Sequence, residues 1–96
     1  MRQKRDWKSE ERLRKRLKAI GAVITDLRKQ NGFSRIELAE MADISPSYLT
    51  RIETSSGEPP CVPSTAVLFD IAHALGIDFG GLLGTAERIV DEDMSE

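Results

Sequence analysis

Residues 34–53 read SRIELAEMADISPSYLTRIE, and this stretch decides the architecture that the rest of the chain must support. It opens with Ser34, which is followed three residues later by Glu37. This spacing is typical of a capping box, in which the serine hydroxyl and the glutamate carboxylate each accept a hydrogen bond from a backbone N–H group that the helix leaves unpaired. The sequence therefore predicts a helix over residues 35–42.

A second helix follows after a very short connection. Ser45 is a suitable N-cap, and Pro46 occupies the first helical position, where its missing N–H group costs nothing. This helix is predicted to end near Glu53. Because only residues 42–44 join the two helices, they must cross steeply instead of lying antiparallel, and that is the geometry of a helix-turn-helix.

Three further helices are predicted around this pair. A long helix precedes it, capped by Ser9 and closed by Gly32. After an exposed loop over residues 54–63, which holds three of the four prolines, Ser64 caps a fourth helix, and Asp78 caps a fifth that we expect to be short. The first helix buries one apolar stripe, formed by Leu13, Leu17, Ile20, Ile24 and Leu27. With no strand pattern in the chain, the fold is predicted to be all-α.

Charge is distributed unevenly along the chain, although the formal net charge is only −2. Residues 1–19 carry nine basic and three acidic side chains, residues 20–84 carry four basic and eight acidic, and residues 85–96 carry one basic and five acidic. We therefore expect three segments: a basic extension that begins the long first helix, a helix-turn-helix domain, and an acidic C-terminal tail. The basic extension allows an anionic partner that the average charge alone would argue against.

Length and composition limit the class of protein. Ninety-six residues, 40% of them hydrophobic and 31% charged, are typical of a single soluble domain. No apolar run approaches the roughly 18 residues that span a bilayer, so we expect a cytoplasmic protein with no membrane partner. Cys61 is alone and predicts a free thiol, and His73 has no other ligand at metal-binding spacing. We expect no metal, no cofactor and no enzymatic activity.

The second helix of the pair carries the residues of greatest functional interest. Its inner side is predicted to pack through Ile44, Leu49 and Ile52, and its outer side carries Ser45, Ser47, Thr50 and Arg51. The major groove of DNA admits one α-helix, and short hydroxyl side chains together with an arginine can hydrogen-bond to base edges and phosphates there. The pattern favours a DNA-reading helix.

Three blocks of the chain carry a family resemblance: SRIELA at 34–39, SYLTRIE at 47–53 and IAHALGI at 71–77. In their order and spacing they resemble the Cro/CI-type (XRE) helix-turn-helix regulators. The resemblance covers residues 20–83, about two thirds of the chain, and implies that family's five-helix, lambda-repressor-like domain. It further implies a sequence-specific transcriptional regulator, with repression expected, that binds double-stranded DNA as a homodimer on a two-fold operator.

The resemblance also implies roles for individual residues. It pairs Arg28 with Glu53 as a structural ion pair. It places DNA contacts on the following helix, at Ser45, Pro46, Ser47, Tyr48, Thr50 and Arg51. Arg35 departs from the family, which often has Gln there, and is expected to contact a DNA phosphate instead of supporting a base-edge contact. For Tyr48, a structural role beside the apolar seam is an equal alternative. Asp43 stands where the family usually has a left-handed glycine, and aspartate tolerates that conformation better than most residues.

The loop after the third helix lacks the basic residues that family members place against the DNA backbone. Phosphate contacts are therefore expected from the basic extension, with Arg12, Lys15 and Arg16 as candidates. The alternative is that these side chains form only a solvated helix face.

An exposed apolar surface is predicted on the fourth and fifth helices, because Phe69 stands where the family normally has a polar residue. Such surfaces often mark contacts between proteins. We expect a dimer interface formed by Phe69, Phe79, Leu82, Leu83, Ile89 and Val90. The alternative hypothesis is a protein-interaction module, such as an antitoxin or an adaptor, that binds a protein partner through this surface and binds DNA weakly or not at all.

Overall fold

Five helices make up the computed structural model, which describes the backbone of residues 7–94 and the side chains of residues 10–92. They are α1 (Trp7–Gln30), α2 (Arg35–Met41), α3 (Pro46–Thr54), α4 (Thr65–Ala74) and α5 (Phe79–Met94). Each contributes one large, fully buried side chain to a shared core, in chain order Ile24, Leu38, Leu49, Ile71 and Leu82. The predicted all-α fold of five helices is confirmed, and no strand occurs among residues 7–94.

Local signals set the helix ends as the sequence predicts. The Ser34 hydroxyl accepts a hydrogen bond from the backbone N–H of Glu37 at 3.1 Å, and the Glu37 carboxylate accepts one from the N–H of Ser34 at 2.8 Å. Ser45 and Ser64 each cap their helix in the same way, at 3.1 Å from the N–H three residues on. Between α2 and α3, Asp43 has a φ of 59°, so this aspartate does adopt the left-handed conformation.

The packing of the helices leaves one side of α3 available. α3 packs against α1 and α2, α4 packs against α2 and α5, and α5 lies along α1. α3 is thus held from one side by two other helices, and the side that faces away from them is the part of the helix-turn-helix that can meet a partner.

The start of α1 differs from the prediction. Ser9 was expected to cap this helix, but the helix already begins at Trp7, so Ser9 lies within its first turn. The sequence alone does not fix this end of the helix, because helix ends fray and several polar residues in succession are compatible with a first turn.

The length of α5 also differs from the prediction of a short helix followed by a tail. α5 runs for 16 residues, and residues 85–94 continue it. Ala86 and Val90, which follow Leu82 by one and two helical turns, are buried in the same core as Leu82. This burial stabilises a helix that three glycines would otherwise weaken, because most helical stability in proteins comes from packing of an apolar face.

Candidate nucleic-acid interface

The outer face of α3 is exposed from its start to its end, except at half-buried Thr50. Leu49 and Ile52 are buried in the core, whereas Ser47 and Arg51, one turn apart, are exposed. Pro46 at the start of the helix is also exposed. The structure therefore brings the predicted polar residues together on one side of a helix whose opposite side is anchored.

The remaining predicted contacts at this helix are engaged in the fold. The Ser45 hydroxyl is engaged as the N-cap. Tyr48 is half-buried and packs against the core, in agreement with the structural alternative considered for it. Thr50 is half-buried, and its carbonyl oxygen accepts a hydrogen bond from Thr54 Oγ1 at 2.7 Å. Ser47 and Arg51 are thus the exposed polar side chains of this set that make no hydrogen bond with residues 10–92.

Glu53, at the inner edge of α3, carries the ion pair expected with Arg28. Its carboxylate is fully buried, and the Arg28 side chain is only 10% exposed. Arg28 Nε donates to Glu53 Oε2 at 2.8 Å, and Nη2 donates to Oε1 at 3.2 Å. Arg28 Nη1 donates to the carbonyl oxygen of Phe33 at 2.9 Å. The pair therefore ties α1 both to α3 and to the turn before α2.

Two further donors reach the same carboxylate, and sequence reasoning assigned neither to it. Arg35 Nε donates to Glu53 Oε1 at 2.9 Å, and Thr25 Oγ1 donates to the same oxygen at 3.1 Å. Arg35, the first residue of α2, was expected only as a DNA contact. No local signal marks this bond, because it depends on how α2 crosses α3.

The ionisation of Glu53 follows from these contacts. Burial would raise the pKa of Glu53, because a charged carboxylate loses its hydration. Hydrogen bonds from Arg28, Arg35 and Thr25, together with the charge of Arg28, outweigh burial and hold the pKa of Glu53 below its ordinary value of 4.5. The carboxylate is therefore ionised at neutral pH.

A glycine in α1 permits the close approach of α1 to the end of α3. A Cβ atom built on Gly21 would lie 2.5 Å from the carbonyl oxygens of both Ile52 and Glu53. These are backbone atoms, so no side-chain rotation could make room. Sequence reasoning did not single out Gly21, since a glycine inside a helical pattern carries no mark of what packs against it.

The basic residues of α1 surround the packing contact with α5. Arg12 and Arg16 are exposed and line a groove between the two helices that also holds Glu87 and Asp91, and Lys15 is half-buried. Arg14 makes two hydrogen bonds, at 2.6 and 2.7 Å, with the carboxylate of Glu58 in the loop after α3. The side chains of Arg2, Lys4, Arg5 and Lys8 lie outside the described residues.

The apolar surface expected on α4 and α5 is partly present. Phe69 is 53% exposed, and its ring stacks on that of Phe79 with centroids 4.3 Å apart. Ile89 is exposed and Leu83 is half-buried. The expectation is wrong for Leu82 and Val90, which are 0% and 7% exposed, because both pack into the core of their own chain.

Other kinds of site find little support in the described part of the chain. Cys61 is a free thiol and is buried, although its loop was expected to be exposed, and His73 is exposed. No group of three or more His, Cys, Asp or Glu side chains among these residues could hold a metal ion. Within residues 7–94 no single helix has the length and apolar character to cross a membrane, although α4 and α5 as a pair bent by 101° have that length and composition.

Comparison with known proteins agrees with this geometry. Residues 24–82 match the model of the helix-turn-helix family. The chain is 34% identical over 77 residues to the immunity repressor protein of Bacillus phage phi105, a match that covers 80% of this chain and 50% of that protein. It is 33% identical over 75 residues to the ImmF control region 10 kDa protein of the same phage, covering 78% of this chain and 79% of that protein. This chain thus spans half the length of the immunity repressor.

A solved structure has the same arrangement of helices. The crystal structure of the clp gene regulator ClgR from Corynebacterium glutamicum superposes with a TM-score of 0.74 at 28% sequence identity. The match covers 83% of this chain and 81% of ClgR, so the similarity extends over most of both chains and beyond the helix-turn-helix itself.

Proposed function

The chain belongs to the helix-turn-helix family of DNA-binding transcriptional regulators, and we propose that it is itself a repressor that binds a two-fold operator in double-stranded DNA as a homodimer. The proposal includes no catalytic activity and places the protein in the cytoplasm. The similarity to a phage protein named as an immunity repressor supports repression as the mode of regulation.

The exposed outer face of α3 carries this proposal. A helix fits into the major groove, where an arginine can donate two hydrogen bonds to guanine and a serine can pair with several base edges. Arg51 and Ser47 lie one turn apart on that face, and the buried side of α3 fixes their direction. A reading helix must be rigid in this way, since a mobile one would lose entropy on binding.

The homodimer is supported by the aromatic pair on α4 and α5. Phe69 remains half exposed although it stacks on Phe79, so an aromatic surface faces solvent. Rings of this kind bury a large apolar area when they meet a partner. A two-fold dimer would place two copies of α3 in successive major grooves, about 34–36 Å apart along the duplex.

Selection of bound sequences from a pool of random duplexes tests the proposal. We expect an enriched inverted repeat whose half-sites are centred one helical turn, roughly 10 base pairs, or a multiple of it apart. Affinity for the selected duplex should fall steeply as salt rises, because phosphate contacts release counterions. If no sequence is enriched and no duplex is bound at low salt, the proposal is wrong.

A protein-interaction module is the second candidate, and the exposure of Phe69 favours it. An adaptor or antitoxin would use this aromatic surface for a protein partner and leave α3 unused. The same titration separates the two functions, since an adaptor would show no salt-dependent binding to DNA. Substitution of Arg51 would then have no effect on the protein's activity.

A further inference from the structure

Two arginines share the single negative charge of Glu53. Arg28 and Arg35 both donate to its carboxylate, at 2.8 and 2.9 Å for the shortest bonds. One carboxylate cannot neutralise two guanidinium groups, so the cluster as a whole carries one net positive charge. An anion placed beside the more accessible arginine would balance that charge.

The two arginines differ in what they leave unpaired. All three guanidinium nitrogens of Arg28 donate to protein oxygens, and its side chain is almost completely buried. Arg35 donates through Nε alone, its side chain is 39% exposed, and its terminal nitrogens make no hydrogen bond with residues 10–92. Arg28 is therefore saturated by the fold, whereas Arg35 retains donors for a partner.

The position of Arg35 relates it to the outer face of α3. Glu53 follows Thr50 by three residues, so the two are neighbours on the helix surface, with Glu53 on the buried side and half-buried Thr50 at the edge of the outer face. Arg35, which is bonded to Glu53, therefore flanks the outer face on the Thr50 side. A duplex that receives this face in its major groove presents phosphates at both edges of the groove.

We infer that Glu53 is a positioning residue for DNA binding, which holds Nε of Arg35 so that the terminal nitrogens of Arg35 donate to a backbone phosphate beside α3. This inference rests on the proposed function. It gives Glu53 a second role besides its ion pair with Arg28, because the carboxylate that joins α1 to α3 also fixes the orientation of a phosphate-binding side chain. A planar guanidinium that is held through Nε keeps its two terminal nitrogens free to donate a bidentate pair of hydrogen bonds to phosphate.

The first test measures the phosphate contact itself. Fluorescence polarisation with a mixed-sequence 30-base-pair duplex is suitable, since non-specific binding depends almost entirely on phosphates. Arg35→Gln should weaken binding and reduce the slope of log affinity against log salt by about 0.9, the value for one phosphate. Arg88→Gln, which removes an exposed arginine from α5, serves as the matched control and should change neither quantity.

The second test isolates the positioning. Arg35→Lys keeps the positive charge but lacks the planar guanidinium group. Lysine has a single ammonium nitrogen, so it has no separate nitrogen that could donate to Glu53 while another donates to phosphate. If orientation by Glu53 matters, this variant should keep the salt slope and lose affinity on the order of threefold to tenfold, as expected for one hydrogen bond. An affinity equal to that of the unaltered protein would overturn the inference, because charge alone would then suffice.

The third test asks whether Glu53 acts through Arg35. Glu53→Gln should weaken binding of the duplex when Arg35 is present and have no further effect in the Arg35→Gln background, at a temperature where circular dichroism shows each variant folded. Equal losses in both backgrounds would show that Glu53 acts only on the fold and would overturn the inference. If Glu53→Gln does not fold, the Arg35→Lys result decides the question.

Failure of this inference is distinct from failure of the proposed function. If the unaltered protein binds the duplex with a steep salt slope but Arg35→Gln behaves identically, the regulator function stands and the role of Arg35 and Glu53 is wrong. If the unaltered protein binds no duplex at low salt, the proposed function is wrong, and this inference with it.

Discussion

The backbone of α1 at Gly21 touches the backbone of α3 at Glu53, with no side chain between them. An added methyl group would meet the Glu53 carbonyl oxygen at 2.5 Å. Gly21→Ala is therefore expected to push the two helices apart and lower the free energy of unfolding by about 1–3 kcal/mol, the usual cost of overpacking. Urea denaturation followed by circular dichroism measures this change.

Gly84→Ala is the matched control for that experiment. Gly84 also lies within a helix, but a Cβ atom there would meet nothing within 4 Å. Alanine should stabilise α5 at this position by up to about 1 kcal/mol, because glycine is the poorer helix former. If Gly21→Ala raises the free energy of unfolding as Gly84→Ala does, the close contact at Gly21 does not limit the packing of α1 against α3.

The buried ion pair predicts a marked loss of stability when only one partner is removed. Glu53→Gln leaves the guanidinium of Arg28 buried without a counter-charge, and we expect the free energy of unfolding to fall by about 3–5 kcal/mol. The double variant Arg28→Met, Glu53→Met should lose less than the sum of the two single losses, since it leaves neither charge alone. Additive losses would mean that the two side chains are not energetically coupled.

The lowered pKa of Glu53 predicts an acid-sensitive fold. A carboxylate whose pKa is lower in the folded than in the unfolded state stabilises the fold above its unfolded pKa, and this contribution is lost as the pH falls through the folded pKa. The stability difference between the unaltered protein and Glu53→Gln should thus be constant above about pH 5 and shrink as the pH falls below the ordinary value of 4.5. Denaturant titrations at several pH values measure it. A difference that grows on acidification would contradict the direction of the shift.

Arg51→Ala should separate DNA reading from folding. We expect this variant to lose about 1–3 kcal/mol of affinity for the selected operator, with an unchanged unfolding midpoint, because the side chain is exposed and makes no buried contact. Polarisation titrations with the operator measure the affinity, and Arg88→Ala provides the control. Undiminished operator binding by Arg51→Ala would show that the outer face of α3 is not the reader.

Phe69→Glu should dissociate the proposed dimer while leaving each subunit folded. The ring is half exposed, so a charge there adds no buried charge to the monomer but would be desolvated in an interface. Light scattering after size-exclusion chromatography measures the change in mass. Val62→Glu, at another exposed apolar position, is the control, and equal masses for both variants would mean that the aromatic pair is not the interface.

Sequence patterns predicted the elements whose causes are local. The capping box of Ser34 and Glu37 and the cap at Ser45 each depend on residues within one turn, so they can be read from spacing. The left-handed conformation of Asp43 was implied by the family resemblance, since the family usually has a left-handed glycine at this position. The pair of Arg28 and Glu53 was implied by family resemblance rather than by any local pattern.

Features that depend on distant packing could not be predicted in this way. The bond between Arg35 and Glu53 joins residues 18 apart in sequence, and the need for glycine at position 21 arises from a different helix. The length of α5 depends on the burial of Val90 against α1, whereas the acidic residues beside it favoured a solvated tail. In each case the deciding contact is made by a residue that the local pattern does not contain.

The groove between α1 and α5 brings opposite charges together, and this limits the range over which those charges act. Arg12 and Arg16 share it with Glu87 and Asp91, so charges from opposite ends of the sequence are neighbours in space. At distances beyond a Debye length, about 8 Å at physiological ionic strength, the potentials of such neighbouring opposite charges largely cancel and only a weak dipole remains. These groove charges alone therefore exert little long-range attraction on an approaching polyanion, so they affect how long a complex persists more than how quickly it forms.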